Sequence, residues 1–139
     1  MDLIEVRPES TIYLPVYVPG GLLYLGDAHA AMGHGELSAS GLEMPATSEI
    51  TVNTVKGKNL VAPRIETPTE LISVAIGQPM ERSIAEASAR LILWLEAEYG
   101  WDRWRAYDLL THVARISVGY YAYGTVGVKV EKRYVTGAK

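Results

Sequence analysis

The stretch that decides the fold is residues 71–100, LISVAIGQPMERSIAEASARLILWLEAEYG. It opens with a continuous apolar run at 71–76, typical of a buried strand, which the turn residues at 77–79 stop. Ser83 and Glu86 have the spacing of a capping box, so the sequence predicts a helix that begins at Ser83. The apolar residues that follow recur at helical intervals, which predicts a helix with one core-facing side.

The rest of the second half continues in helices and then returns to a strand. Gly100 is suited to ending the first helix, and Asp102 is suited to capping a second helix that runs to about Ser117. The single residue between Gly100 and Asp102 leaves room only for a tight αα-hairpin. A last short strand is expected at 126–130. Residues 67–139 are therefore expected to form a β-α-α-β unit.

The first half, residues 1–66, has the composition of β structure. β-branched and aromatic residues dominate the segment 11–18, in which Pro15 indicates an edge strand or a bulge. Further strands are expected at 22–25, 37–43, 49–55 and 60–65. The predicted class is α+β, with a β-rich, barrel- or sandwich-like N-terminal half followed by the β-α-α-β unit and its αα-hairpin.

Composition narrows the classes of function. A chain of 139 residues is long enough to bury a hydrophobic core. Its composition, 48% hydrophobic and 21% charged, is not that of a disordered chain. No apolar run approaches the roughly 18 residues of a membrane span, and the N-terminus lacks a basic signal region, so we expect a cytoplasmic chain without membrane contact. With 13 basic against 16 acidic residues and no cysteine, nucleic-acid binding, a thiolate nucleophile and a cysteine zinc site are not expected.

One segment concentrates groups that can do chemistry: residues 26–36, GDAHAAMGHGE. Asp27 and His29 are two positions apart, as are His34 and Glu36, so each pair projects from one face of an extended chain. Imidazole nitrogen together with carboxylate oxygen suits zinc, iron or manganese. The alternative is a polar loop whose side chains make ordinary turn hydrogen bonds. The glycines of the segment allow the backbone to pass close to a ligand: Gly26, Gly33 and Gly35.

Other polar and aromatic residues have plainer interpretations. His112 is in the middle of the second predicted helix and is expected to be a partly buried structural histidine. Three aromatic residues are candidates for an oligomer interface: Tyr17, Trp101 and Trp104. No nucleophile in the sequence has an evident activating base.

The chain is similar to the acetamidase/formamidase family over nearly its whole length. The segments that carry the resemblance are YLPV at 13–16, LGDAHAAMGHGE at 25–36, LE at 42–43, AYDLL at 106–110 and GVKV at 127–130. In that family a strand reading L-P-V precedes a G-D-x-H-A-x-x-G-D-G-E segment, so this chain has His34 where the family usually has aspartate. Family members are generally at least twice as long, and the chain resembles their C-terminal half. Met1-Asp2 resembles the end of the family's G-G-N-x-D motif, which makes Asp2 a further candidate site residue.

The resemblance implies an amidohydrolase that converts a small linear amide, formamide or acetamide, to the carboxylate and ammonia. It implies a divalent metal, zinc first and calcium or another divalent ion second, held by Asp27, His29, His34 and Glu36. Glu36 and Asp27 are then the catalytic residues, with Glu36 as general base toward water and proton donor to the departing amine. Histidine at position 34 is still a ligand type, but it changes the affinity or geometry of the site.

The length of the chain implies partners. A separate N-terminal half or subunit would complete the site, and a homo-oligomer is expected. The alternative is a non-catalytic subunit or remnant of an amidase that acts as an oligomerising or binding module. A third interpretation is a small-molecule or metal sensor that uses the same pocket.

Overall fold

The computed structural model describes residues 2–136, which form a five-stranded antiparallel sheet with helices on one face and a separate two-stranded ribbon. The strands are β1 (Thr11–Tyr13), β2 (His29–Ala31), β3 (Leu42–Glu43), β4 (Arg64–Glu66), β5 (Glu70–Ala75), β6 (Arg115–Val118) and β7 (Val126–Glu131). The helices are α1 (Met80–Tyr99), α2 (Arg103–Val113) and α3 (Lys132–Thr136), and a short 3₁₀ turn spans Tyr121–Tyr123. This arrangement confirms the α+β class, with β structure followed by a β-α-α-β unit.

The large sheet has the strand order β1-β4-β5-β7-β6, and every neighbouring pair is antiparallel. β5 lies at its centre and is buried along its whole length. Leu71 packs under α1 and α2 together with Val128 of β7, whereas Ile72 and Leu3 belong to a second core on the opposite face. Because side chains alternate along a strand, one apolar run fills both cores. The sheet also joins the two halves expected from sequence, since β1 and β4 belong to it.

Helix α1 begins three residues before the predicted position. Pro79 is the N-cap residue, in extended conformation, and the helix starts at Met80. The Ser83 hydroxyl donates to the Gly77 carbonyl at 2.9 Å, so it closes the preceding turn instead of capping the helix. The capping-box prediction is therefore wrong. The predicted end is confirmed, because Gly100 adopts the left-handed conformation with φ 70° and its N–H bonds the last turn.

Helix α2 has the predicted start but a different end. The Asp102 side chain accepts hydrogen bonds from the backbone N–H groups of Trp104 and Arg105, both at 3.1 Å, which confirms the cap. The helix ends at Val113, not at Ser117 as predicted. The next four residues form β6, which pairs with β7 along its whole length. β7 confirms the last predicted strand.

Much of the first half is extended chain without strand partners. The segments 22–25 and 49–55 form no strand, so those two predictions are wrong, and the strand predicted at 11–18 is reduced to β1. Two long stretches, 14–25 and 44–61, which we call the arms, carry large apolar side chains that face solvent. Among residues 2–136 no strand lies beside these segments to complete their hydrogen bonds, which is the physical reason that the alternating pattern does not become a sheet. In the same range, no helix is both long and apolar enough to cross a membrane.

Candidate active site

Three carboxylates converge on one nitrogen of His29. Its Nε2 lies 2.9 Å from Glu43 Oε1, 3.5 Å from Asp27 Oδ1 and 4.0 Å from Glu36 Oε1. The His29 side chain is only 10% exposed, although Asp27 and Glu43 face solvent. We call Asp27, His29, Glu36 and Glu43 the carboxylate–histidine cluster.

The small ribbon of β2 and β3 builds this cluster. In its register His29 is the direct partner of Glu43, which places the two side chains on one face. The Ser40 hydroxyl donates to Glu43 Oε1 at 3.1 Å and so helps to orient that carboxylate. Asp27 and Glu36 both have positive φ, at 64° and 45°, a conformation that costs energy for residues other than glycine. Such strain is typical of positions where function fixes the direction of a side chain.

The charges around His29 favour its protonated form. Burial alone lowers the pKa of the imidazole, but the hydrogen bond to Glu43 and the negative charges of Glu43, Asp27 and Glu36 outweigh it. The net effect is a raised pKa. The three carboxylates around Nε2 therefore stabilise a positive charge at this point. Either a protonated imidazole or a bound cation can supply that charge.

The cluster fits a divalent cation. Asp27, His29 and Glu43 each offer one ligand atom, and these atoms all lie within 4.8 Å of one another. Imidazole nitrogen and carboxylate oxygen are both ligand types of zinc, whose catalytic sites use three protein ligands and keep a fourth position open. Glu36, whose side chain is 7% exposed, lies beside this set at 4.0 Å from Nε2.

The structure brings together some of the residues predicted from sequence and separates others. Asp27, His29 and Glu36 meet, whereas the Nδ1 atom of His34 lies 3.2 Å from Ser117 Oγ, and His34 is outside the metal-ligating group within the described chain. Glu43 was missed as a candidate ligand because it reaches His29 through strand pairing, 14 positions along the chain. The only sequence signal was its place in the matching segment at 42–43.

The three candidate glycines differ. Gly35 is buried and has φ 89°, its N–H donates to Val118 O at 2.8 Å, and its carbonyl accepts from Tyr121 N at 3.0 Å. A side chain would meet nothing within 4 Å at Gly26 or Gly33. The structure therefore requires glycine only at position 35 among the three, and their role in substrate binding stays a prediction.

Two other predicted residues lie away from the cluster. The Asp2 backbone carbonyl packs against Gly119, where a Cβ would approach it to 2.7 Å. His112, expected to be partly buried, is exposed on α2 at 3.7 Å from Asp108, so that prediction is wrong. It lies on the outer surface of the αα-hairpin.

A buried polar network missed from the sequence adjoins the site. Glu5, with a side chain 3% exposed, pairs with Lys129 Nζ at 2.7 Å and accepts a hydrogen bond from Ser117 Oγ at 3.0 Å. Burial raises the pKa of Glu5, but the bonds from Lys129 and Ser117 outweigh it and the net shift is downward. Sequence analysis placed Ser117 at the end of a helix and gave Glu5 no role. The alternation Arg115-Ile116-Ser117-Val118 was the signal that could have found β6.

The comparisons with known proteins agree with this fold. Residues 1–119 match the sequence pattern of the acetamidase/formamidase family. The chain belongs to that family. A search of curated protein sequences found no match.

Solved acetamidase structures share the fold. An acetamidase from Yersinia enterocolitica is 35% identical with a TM-score of 0.94, and the match covers 97% of this chain and 42% of that one. An acetamidase from Bacillus halodurans is 28% identical with a TM-score of 0.87, over 98% and 47% of the two chains. A predicted acetamidase/formamidase from Thermoanaerobacter tengcongensis, 22% identical with a TM-score of 0.82 over 99% and 46%, shares the fold. This chain spans less than half of the length of each.

Proposed function

We propose that this chain supplies the metal-binding and acid–base residues of an enzyme that hydrolyses small linear amides, formamide or acetamide, to the carboxylate and ammonia. Membership in the acetamidase/formamidase family supports the reaction class. The observation that carries the proposal is the convergence of Glu43, Asp27 and Glu36 on His29 Nε2. Titratable groups held this closely beside a histidine are typical of catalytic sites.

The cluster supports a divalent metal held by Asp27, His29 and Glu43. An imidazole ligand favours zinc over calcium, because calcium prefers an all-oxygen shell. When bound, such an ion polarises a carbonyl group and lowers the pKa of water. His34 is left out of this ligand set, because within the described residues it lies outside the group whose ligand atoms converge.

Glu36 is the best placed general base. Its side chain is nearly buried but has an oxygen beside His29, and its backbone is fixed on both sides by bonds from Glu36 N to Gly33 O and from Ala39 N to Glu36 O. As water attacks the amide carbonyl, the water proton passes to the Glu36 carboxylate. The same proton then goes to the amide nitrogen as the C–N bond breaks, and ammonia leaves.

The arms indicate that more protein is needed. Leu22 and Tyr24 are 82% and 84% exposed, and other large apolar side chains of the arms are also exposed. A folded protein rarely leaves such a continuous apolar surface uncovered. The related acetamidases are more than twice as long as the region that this chain matches. We therefore propose that the complementary part of the acetamidase fold covers the arms and completes the site. Homo-oligomerisation and a cytoplasmic location remain predictions from sequence.

The second candidate function is a non-catalytic, oligomerising subunit. It is favoured by the same exposed arms and by the solvent exposure of Asp27 and Glu43, which leaves the cluster open on one side. In this alternative the fold persists as an assembly module and the cluster holds at most a structural ion.

The test is reconstitution. The chain is mixed with the part of the Yersinia enterocolitica acetamidase that it does not match, and ammonia release from formamide and acetamide is measured together with bound metal. We expect turnover and about one divalent ion per site, both lost in His29→Ala and both kept in His112→Ala, the matched control on an exposed histidine. Metal without turnover indicates a sensor, and assembly with neither indicates the non-catalytic subunit.

A further inference from the structure

A buried chain of hydrogen bonds runs from Lys129 to His34 and plays no part in the reaction scheme above. Lys129 Nζ lies 2.7 Å from Glu5 Oε1, and Ser117 Oγ donates to Glu5 Oε2 at 3.0 Å. Ser117 Oγ is also 3.2 Å from His34 Nδ1. Ser117 is fully buried and Glu5 nearly so, whereas His34 faces solvent.

The chemistry of this chain determines where the proton on His34 lies. A carboxylate beside the Lys129 ammonium is ionised and can only accept hydrogen bonds, and the lowered pKa of Glu5 agrees with this. The single hydroxyl proton of Ser117 is therefore used on Glu5. The remaining lone pairs of Ser117 Oγ can only accept, so His34 must donate from Nδ1. In neutral His34 the lone pair is then on Nε2.

His34 is two positions before Glu36 of the carboxylate–histidine cluster. Gly35, fixed by hydrogen bonds to Val118 and Tyr121, separates His34 from Glu36, so their Cα atoms lie no more than about 7 Å apart. The two ring nitrogens of an imidazole point well apart, so Nε2 faces away from Ser117. Within residues 2–136 no group is hydrogen-bonded to Nε2.

We propose that Glu5 and Ser117 are positioning residues that hold His34 in the Nδ1-protonated tautomer, and that its Nε2 accepts an N–H hydrogen bond from a primary amide substrate. The second part rests on the proposed function. A primary amide carries two N–H donors, whereas an N,N-dialkylated amide carries none, so this contact selects unsubstituted amides. His34 lies outside the group of described residues that can ligate one ion, so the proposal assigns its Nε2 to the substrate and not to the metal of the cluster.

The tautomer is tested without any assay of activity. Nitrogen-15 NMR of the full chain at about pH 8.5, well above the ordinary histidine pKa of about 6.5, reports which ring nitrogen is protonated. His34→Gln assigns the signals, and His112, which has Asp108 beside its Nε2, is the reference. We expect His34 to carry its proton on Nδ1, and Ser117→Ala to shift the proton mainly to Nε2. Protonation at Nε2 in the parent chain overturns the proposal, even if the Ser117 variant fails to fold.

The substrate contact is tested in the reconstituted enzyme. His34→Ala should lower kcat/KM for formamide about 2- to 12-fold, the usual effect of one neutral hydrogen bond, mostly through KM. For N,N-dimethylformamide, the kcat/KM of the parent and that of the variant should be nearly equal. His34→Gln, which places an amide oxygen near Nε2, should restore much of the loss. Equal losses on both amides overturn the substrate part alone. No turnover of any amide by the parent mixture overturns the proposed function and the substrate part with it, while the NMR result still decides the tautomer.

Discussion

Gly41 lies directly against the imidazole of His29. A Cβ at position 41 would come within 2.6 Å of both Cγ and Nδ1 of that ring, which is closer than real contacts allow. Cγ is bonded directly to Cβ, and Nδ1 is next to it in the ring. Rotation of the ring about the Cβ–Cγ bond therefore cannot remove the clash. Gly41 thus holds His29 in the orientation that directs Nε2 toward Glu43, Asp27 and Glu36.

We expect Gly41→Ala to weaken zinc binding about 10- to 100-fold, the range seen when support for a metal ligand is removed. The reason is displacement of the His29 ring from Glu43. The measurement is competitive titration with a zinc chelator on the full chain. Gly33→Ala is the matched control, because a Cβ there meets nothing within 4 Å. If both variants bind zinc alike, Gly41 does not position His29.

Glu43 should contribute to metal affinity as much as the residues of the 26–36 segment do. Glu43→Gln removes one negative ligand oxygen from the set and should lower zinc affinity at least tenfold, since carboxylate ligands bind as anions. The control is Glu49→Gln, an exposed glutamate that forms no part of the cluster. Unchanged affinity in Glu43→Gln would show that the ion, if bound, is held by other groups.

Glu5 should make stability depend on pH in the acid range. Its pKa is below the ordinary 4.5 in the folded chain, because the bonds from Lys129 and Ser117 outweigh burial. The unfolded chain therefore binds more protons as pH falls, so the contribution of Glu5 is complete above about pH 4.5 and is lost as pH falls through the lower folded pKa.

Glu5→Gln should accordingly cost about 2 kcal/mol at pH 7, since it removes the nearer of the two carboxylates beside Lys129 and leaves Glu70 at 4.0 Å. It should also flatten the loss of stability in acid. Urea unfolding followed by circular dichroism from neutral to acid pH measures both effects, with the exposed Glu9→Gln as control. Parallel pH curves for parent and Glu5→Gln would contradict this role.

Gly124 is required by space as well as by backbone conformation. It has φ 63°, and a Cβ there would overlap the Gly77 carbonyl oxygen, which is itself held by the Ser83 hydroxyl. Gly57 has φ 76° but open space around it. We expect Gly57→Ala to cost about 1 kcal/mol and Gly124→Ala about 4 kcal/mol. Thermal unfolding compares the two, and equal costs would mean that the overlap relaxes freely.

The parts of the fold that sequence predicted are those with local patterns facing a core. The strand at β5, the hairpin of α1 and α2, and β7 each bury their apolar residues within this chain, so periodicity, the C-cap at Gly100 and the N-cap at Asp102 were enough to predict that they exist. β6 was missed because Ser117 fits the inward side of a helix as well as the inward side of a strand.

The site was half predictable for a similar reason. Asp27, His29 and Glu36 are within one segment, and the spacing of that segment indicated a shared ligand set. Glu43 and the Glu5–Ser117 pair come from other elements, and only the pairing of β2 with β3 and of β6 with β7 brings them close. The pairing register of strands that are far apart in sequence cannot be predicted from the hydrophobic periodicity of each strand alone.

The arms give the last prediction. If they are covered by the complementary part of an acetamidase, the double variant Leu22→Ser/Tyr24→Ser should weaken association with the unmatched part of the Yersinia enterocolitica acetamidase at least tenfold, since each large apolar side chain contributes about 1.5–3 kcal/mol when buried. The melting temperature of the chain alone should not fall, because both side chains face solvent in it.

The matched control is Tyr107→Ser/Ile116→Ser, a tyrosine exposed on α2 and an isoleucine exposed on β6, the strand at the opposite edge of the sheet from β1. Analytical ultracentrifugation of the mixtures measures the association constants. We expect the control to associate like the parent chain. Equal weakening in both variants would show that the contact is not confined to the arms, and no association with the parent would show that the arms need another occupant.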